Sequence, residues 1–80
     1  MTMLHQLKSG EIARIIKFEN ASIYEKQFIS NGVKEGSIIR VISSFGLITF
    51  SVNSKLFSIS HNIAKHVRVI SLRIMETESI

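Results

Sequence analysis

The chain has 80 residues and no cysteine, and these two facts limit the folds that it can adopt. Without cysteine it can form no disulfide, no thiolate metal site and no iron–sulfur ligand set. A domain of this size buries only about 60% of the surface that its unfolded chain exposes, so little protein remains to enclose a deep active-site cleft. We therefore expect one compact domain that is stabilised by packing alone.

Composition supports a folded domain, because 45% of the residues are hydrophobic and 20% are charged. We predict a single domain over residues 1–80, with a core within about residues 3–73 and a frayed tail at 74–80. The N-terminal residues lack the apolar segment of a signal peptide, and no apolar run reaches the length of a membrane span. The sequence therefore predicts a soluble cytoplasmic protein.

The β-branched residues are concentrated in short segments between turn residues, which is the pattern of a small β domain. The predicted strands are residues 11–18, 37–43, 47–52, 56–59 and a last strand that contains Val67 and Val69. The last strand has the periodicity to pair back onto the sheet. We predict a mainly β fold, a small barrel of about five strands.

One short helix is expected over residues 21–31, where Tyr24 and Phe28 are four residues apart and form an apolar stripe. Asn31 and Gly32 follow, and both tolerate the left-handed conformation that ends many helices. These residues predict where the helix stops.

Further turns are expected at Gly10 and Gly36. Ser60 is a favourable N-cap for a single helical turn over residues 61–65, just before the last strand. The fold class is therefore mainly β, with one short helix and one helical turn.

No catalytic motif is present: the chain has no nucleophile elbow, no glycine-rich phosphate loop and no H-E-x-x-H zinc motif. All six acidic residues are Glu, and each is explained by a solvated strand edge, a helix face or the tail. We predict that the protein is not an enzyme, with no catalytic residues and no cofactor.

His61 and His66 are the only candidate metal ligands that lie close together in the sequence. They are five residues apart, about 140° around a helix, and no Asp or Cys lies nearby to complete a site. We predict no metal site, and direct sensing of a metal ion through this pair is kept as a third hypothesis.

The net charge of +4 and the pI near 9.9 leave nucleic acid open as a partner, although the ten basic residues form no run. Base stacking needs exposed aromatic side chains. Phe28, Phe50 and Phe57 fall on inward faces, which leaves Phe45 and Tyr24. We expect no nucleic acid, and a small basic barrel that binds it is the alternative.

The segment Phe45-Gly46-Leu47 lies at the rim of a predicted hairpin and carries two large apolar side chains around a flexible glycine. It is the predicted partner-binding site. The other interpretation is that the segment folds back onto the mouth of the barrel.

Three stretches, in order, resemble the FeoA family over nearly the whole chain. The opening resembles L-x-x-L-x-x-G-x-x-A-x-I, here Leu4, Leu7, Gly10, Ala13 and Ile15. The centre is similar to R-L-x-x-L-G-I-x-x-G, here Gln27, Phe28, Asn31, Gly32, Val33 and Gly36. The end is similar to I-x-L-x-x-x-x-A-x-x-I-x-V, here Phe57, Ile59, Ala64, Val67 and Val69. The sequence departs from the family at Gln27 and Asn31.

The resemblance implies an SH3-like barrel and a role as an accessory or regulator of bacterial ferrous iron uptake. The implied partner is a FeoB-type ferrous iron transporter, contacted at its cytosolic GTP-binding domain, and no bound metal or cofactor is implied. The barrel also resembles the C-terminal domain of DtxR-type repressors, so a metal-responsive regulatory module is a further alternative. An open barrel edge would allow a homo-oligomer.

Overall fold

The computed structural model describes residues 2–19 and 23–72, with the side chain of Ile23 excepted. The predicted tail at 74–80 and the first two residues of the predicted helix lie outside these ranges. All statements about the structure refer to the described residues.

The described residues form six strands and two α-helices. In order they are β1 (Thr2–Met3), a 3-10 turn (Leu4–Gln6), β2 (Ile12–Phe18), α1 (Ile23–Ser30), β3 (Ile38–Ser43), β4 (Ile48–Val52), β5 (Lys55–Ile59), α2 (His61–Ala64) and β6 (Val67–Ser71). The predicted mainly β class is confirmed, as are the short helix and the helical turn before the last strand.

The strands form one antiparallel sheet in the order β1-β6-β2-β3-β4-β5. β6 pairs back onto β2, as the sequence predicted, and it also pairs with β1. The sequence analysis missed β1, because two residues are too few to show strand periodicity. β1 and β5 are the two edges of the sheet.

The core consists of hydrocarbon side chains from alternate strand positions and from the helices. In β4 the alternation is complete, with Ile48, Phe50 and Val52 buried and Thr49 and Ser51 half-buried on the other face. No polar or charged side chain among the described residues is buried. The core therefore requires no buried hydrogen-bond partners.

The end of α1 is a Schellman motif. The Val33 amide donates to the Phe28 carbonyl at 2.8 Å, and the Gly32 amide donates to the Ile29 carbonyl at 2.9 Å. Gly32 has a φ of +86°, whereas Asn31 does not have a positive φ. Val33 and Phe28 are both buried, so the motif fixes α1 on the core.

Replacing Gly32 with Ala should lower the free energy of unfolding by about 1–2 kcal/mol, because a Cβ is strained at this positive φ. No atom lies within 4 Å of the added Cβ, so the cost comes from the backbone alone. Urea denaturation measures the change, with Gln27→Ala on exposed α1 as the control. An unchanged urea midpoint would contradict the assigned conformation.

The hairpin between β4 and β5 turns through Asn53 and Ser54, whose φ angles are +51° and +68°. Two consecutive positive φ angles are the feature of a type I′ turn, whose twist matches that of the flanking strands. After β5, the Ser60 hydroxyl accepts from the Ile63 amide at 3.3 Å and caps α2. The predicted capping role of Ser60 is confirmed.

Candidate partner-binding site

The connection between β3 and β4 carries the segment Phe45-Gly46-Leu47, which we call the rim. Phe45 is 95% exposed and Leu47 is 54% exposed. The Phe45 amide lies 3.4 Å from the Ser43 hydroxyl, and Gly46 has a φ of +82° in open space. The Phe45 side chain therefore lies in solvent and does not fold back onto the barrel.

Leu47 is the last residue of the bend that precedes β4, and its side chain is exposed. The next residue, Ile48, begins β4, is fully buried and pairs with Ile59 of β5. The chain therefore passes from an exposed apolar side chain to a buried one where the rim meets the strand.

A concave groove lies between α1, β5 and α2. Its lining is mostly apolar and aromatic, and consists of Tyr24, Gln27, Phe28, Asn31, Phe57, Ser58, Ile59 and Ile63. Phe28 stacks on Phe18 with ring centroids 5.2 Å apart, and Phe57 stacks on Phe50 at 5.7 Å. The groove is therefore formed on two aromatic pairs that belong to the core.

The groove and the rim lie at the same end of the β4–β5 hairpin, since Ile59 lines the groove and pairs with Ile48, the residue after the rim. The sequence analysis identified Tyr24 as an exposed aromatic residue but did not predict the groove. The four-residue spacing of Tyr24 and Phe28 places the two rings on one side of α1, but it does not show that this side lies next to β5.

Gly10 and Gly36, two of the predicted turn residues, lie in turns that precede β2 and β3. The Gly10 amide donates to the Val41 carbonyl at 2.7 Å, and the Gly36 amide donates to the Ile15 carbonyl at 2.7 Å. These bonds connect the two turns to the β2–β3 pair.

The histidines are not assembled into a ligand set. His61 is exposed at the start of α2, and His66 is half-buried just before β6. Within residues 2–19 and 23–72, no group of three or more His, Asp or Glu side chains is placed to hold a metal ion. The side chains of the rim are an aromatic ring and an aliphatic chain, so what the rim offers chemically is an apolar contact.

No helix in the described part of the chain combines the length and the apolar character needed to cross a membrane.

Comparison with known proteins gives no match among curated sequences. The crystal structure of an iron uptake regulatory protein (FeoA) is 25% identical, with a TM-score of 0.81 over 89% of this chain and 96% of that one. A FeoA-like protein from Clostridium acetobutylicum is 17% identical, with a TM-score of 0.78 over 98% of both chains. IdeR from T. acidophilum, at 20% identity, shows the same fold with a TM-score of 0.81 over 88% of this chain and 33% of its own.

The fold of these neighbours is the SH3-like barrel that the resemblance implied. The sequence also matches the family model of the FeoA domain over residues 2–71, which is nearly the whole chain. The chain therefore belongs to the FeoA domain family.

Proposed function

We propose that this protein is a non-catalytic accessory protein that binds the cytosolic part of a FeoB-type ferrous iron transporter through the rim. Membership of the FeoA family supports the accessory role in ferrous iron transport. The proposal adds the transporter as partner, the cytoplasm as location and the rim as contact surface.

The observation that carries the proposal is the exposure of Phe45. Within residues 2–19 and 23–72, fifteen apolar side chains are buried in the core, yet a phenyl ring is held 95% in solvent beside an exposed leucine. Aromatic side chains, Phe among them, are enriched in protein interfaces relative to the rest of the surface. Phe45 and Leu47 lie in a short connection between two paired strands. They therefore lose little conformational entropy when a partner binds.

The alternative of nucleic acid binding has less support. Phe28 and Phe50 are buried and Phe57 is half-buried against Phe50, so stacking would rest on Phe45 and Tyr24 alone. Mobility shifts at two salt concentrations test this alternative, because phosphate binding weakens steeply with salt. We expect no shift at low salt.

Titration calorimetry against the cytosolic GTP-binding domain of the same organism's FeoB-type transporter tests the proposal. It is done with and without a non-hydrolysable GTP analogue. We expect saturable binding, weakened about tenfold or more by Phe45→Ala and to a smaller extent by Leu47→Ala. Leu56→Ala is the matched control, because Leu56 is also exposed but lies on β5 outside the rim.

Two results would contradict the proposal. One is the absence of heat in both nucleotide states with both proteins folded, which would remove this domain as the partner. The other is equal weakening by Leu56→Ala and Leu47→Ala, which would remove the rim as the contact surface.

A further inference from the structure

The outward face of β6, β2 and β3 carries a regular arrangement of arginine and isoleucine. Arg14 of β2 lies between Ile70 of β6 and Ile38 of β3, and Arg40 of β3 lies opposite Ile12 of β2. We call these five residues the arginine face. Both arginines are exposed, and Ile38 and Ile70 are about half exposed.

The charge on this face is not compensated within the described residues. Arg14 and Arg40 form no ion pair there, whereas Arg68, also on β6, pairs with Glu19. The three strands contain no Asp or Glu. Arg14 and Arg40 are diagonal neighbours, about 7–8 Å apart, with their Cβ atoms somewhat closer. The face therefore offers two neighbouring cations within an apolar surface.

β2 and β3 each have a neighbouring strand on both sides, and β6 lies between β2 and the two-residue edge strand β1, which pairs only with Arg68 and Val69. An incoming extended segment therefore finds no free edge at β2 or β3, and a ligand contacts the outward face of these two strands through side chains. A helix is one of the two elements that cover a sheet face in folded proteins, the other being a second sheet.

We propose that the arginine face binds an acidic amphipathic helix of a partner protein. Two Glu residues one turn apart on such a helix are about 6 Å apart along its axis and reach the two guanidinium groups. Apolar residues on the same side of the helix cover Ile38 and Ile70. Charge complementarity therefore selects an acidic helix over a basic one.

Nucleic acid fits this face less well. The five residues include no aromatic ring for base stacking, and a phosphate backbone would leave Ile38 and Ile70 without apolar contacts. The proposal does not depend on the rim or on the transporter, because the arginine face and the rim share no residue.

The probe is a designed helical peptide of about 20 residues, with Glu pairs one turn apart and Leu between them on one side. The control peptide has Lys in place of each Glu. Each is titrated into the full chain by calorimetry and by NMR amide shifts. We expect the acidic peptide to bind, with shifts concentrated in β2, β3 and β6, and the Lys peptide to bind at least about tenfold more weakly.

Charge reversal locates the contact. Arg14→Glu and Arg40→Glu should each weaken binding of the acidic peptide about tenfold, and Arg14→Gln by less. Lys26→Glu and Lys34→Glu change the net charge equally but lie on α1 and its following turn, so binding should stay within about twofold. Thermal unfolding of each variant confirms that the substituted chain is folded.

Four results would overturn the proposal. They are no saturable binding of the acidic peptide, equal binding of the Lys peptide, equal losses in the lysine variants, and tighter binding of a duplex RNA or DNA that requires the same arginines. A fifth result would identify the ligand of the face as the chain itself. If the double variant Glu76→Gln/Glu78→Gln bound the acidic peptide about tenfold more tightly, the chain's own acidic residues would be competing with the peptide for the arginine face.

Discussion

Replacing Phe50 with Ala should lower the free energy of unfolding by about 3–5 kcal/mol. Phe50 is fully buried at the middle of β4, where it stacks on Phe57 and pairs with Val41 of β3. The substitution removes both the transfer energy of the ring and its packing contacts, and the sheet around the cavity is held by hydrogen bonds on both sides. Since small domains have a total stability of about 5–15 kcal/mol, the variant should be partly unfolded at 37 °C.

Urea denaturation followed by circular dichroism measures this change, and Phe45→Ala is its matched control. The same atoms are removed there from a side chain that is 95% exposed, so the free energy of unfolding should change by less than about 0.5 kcal/mol. A comparable loss in the two variants would show that Phe45 packs on the barrel, which would contradict the rim.

Replacing Leu4 with Ala should lower the free energy of unfolding by about 2–5 kcal/mol. Leu4 begins the 3-10 turn after β1 and is fully buried in the core. Its cavity would form between that turn and β6, which it contacts, and would loosen the pairing of β1 with Val69. We expect a lower urea midpoint with a similar slope.

Leu56→Ala is the control for Leu4, since the same atoms are lost from a side chain that is 67% exposed. Its urea midpoint should stay close to that of the unchanged chain. If Leu4→Ala also left the midpoint unchanged, the N-terminal segment would not be part of the core.

Most of the fold was predictable because strand alternation and β-branched residues dominate the sequence. Phe28, Phe50 and Phe57 were placed on inward faces, and in the structure Phe28 and Phe50 are buried and Phe57 is half-buried against the core. The bounds of the strands differ from the predicted ones by about one residue, since strand ends depend on pairing partners that a single segment does not reveal.

The parts that were missed depend on contacts between distant segments. β1 exists because Thr2 and Met3 meet Val69 and Arg68 at the other end of the chain. The groove exists because α1 packs beside the edge strand β5. Neither the pairing of β1 with β6 nor the packing of α1 beside β5 produces a periodic pattern within one segment of the sequence, so periodicity could not predict them.

The residues of the candidate site could be predicted from the sequence, but their exposure could not. Two large apolar residues around Gly46 indicated the rim, but the sequence left open whether Phe45 folds back. In the structure Phe45 lies in solvent and Leu47, in the bend before β4, is about half exposed.

The hydrocarbon core has a consequence for how this protein responds to oxidants. Its buried side chains are those of Ala, Val, Leu, Ile and Phe, and the chain contains no thiol. Peroxide and thiol reagents therefore find no cysteine to convert and no buried sulfur to attack in the described core. Binding to a partner can thus be compared with and without a thiol reductant while no disulfide forms or breaks in this chain, whereas peroxide can still oxidise its methionines, of which Met3 is half-buried in β1.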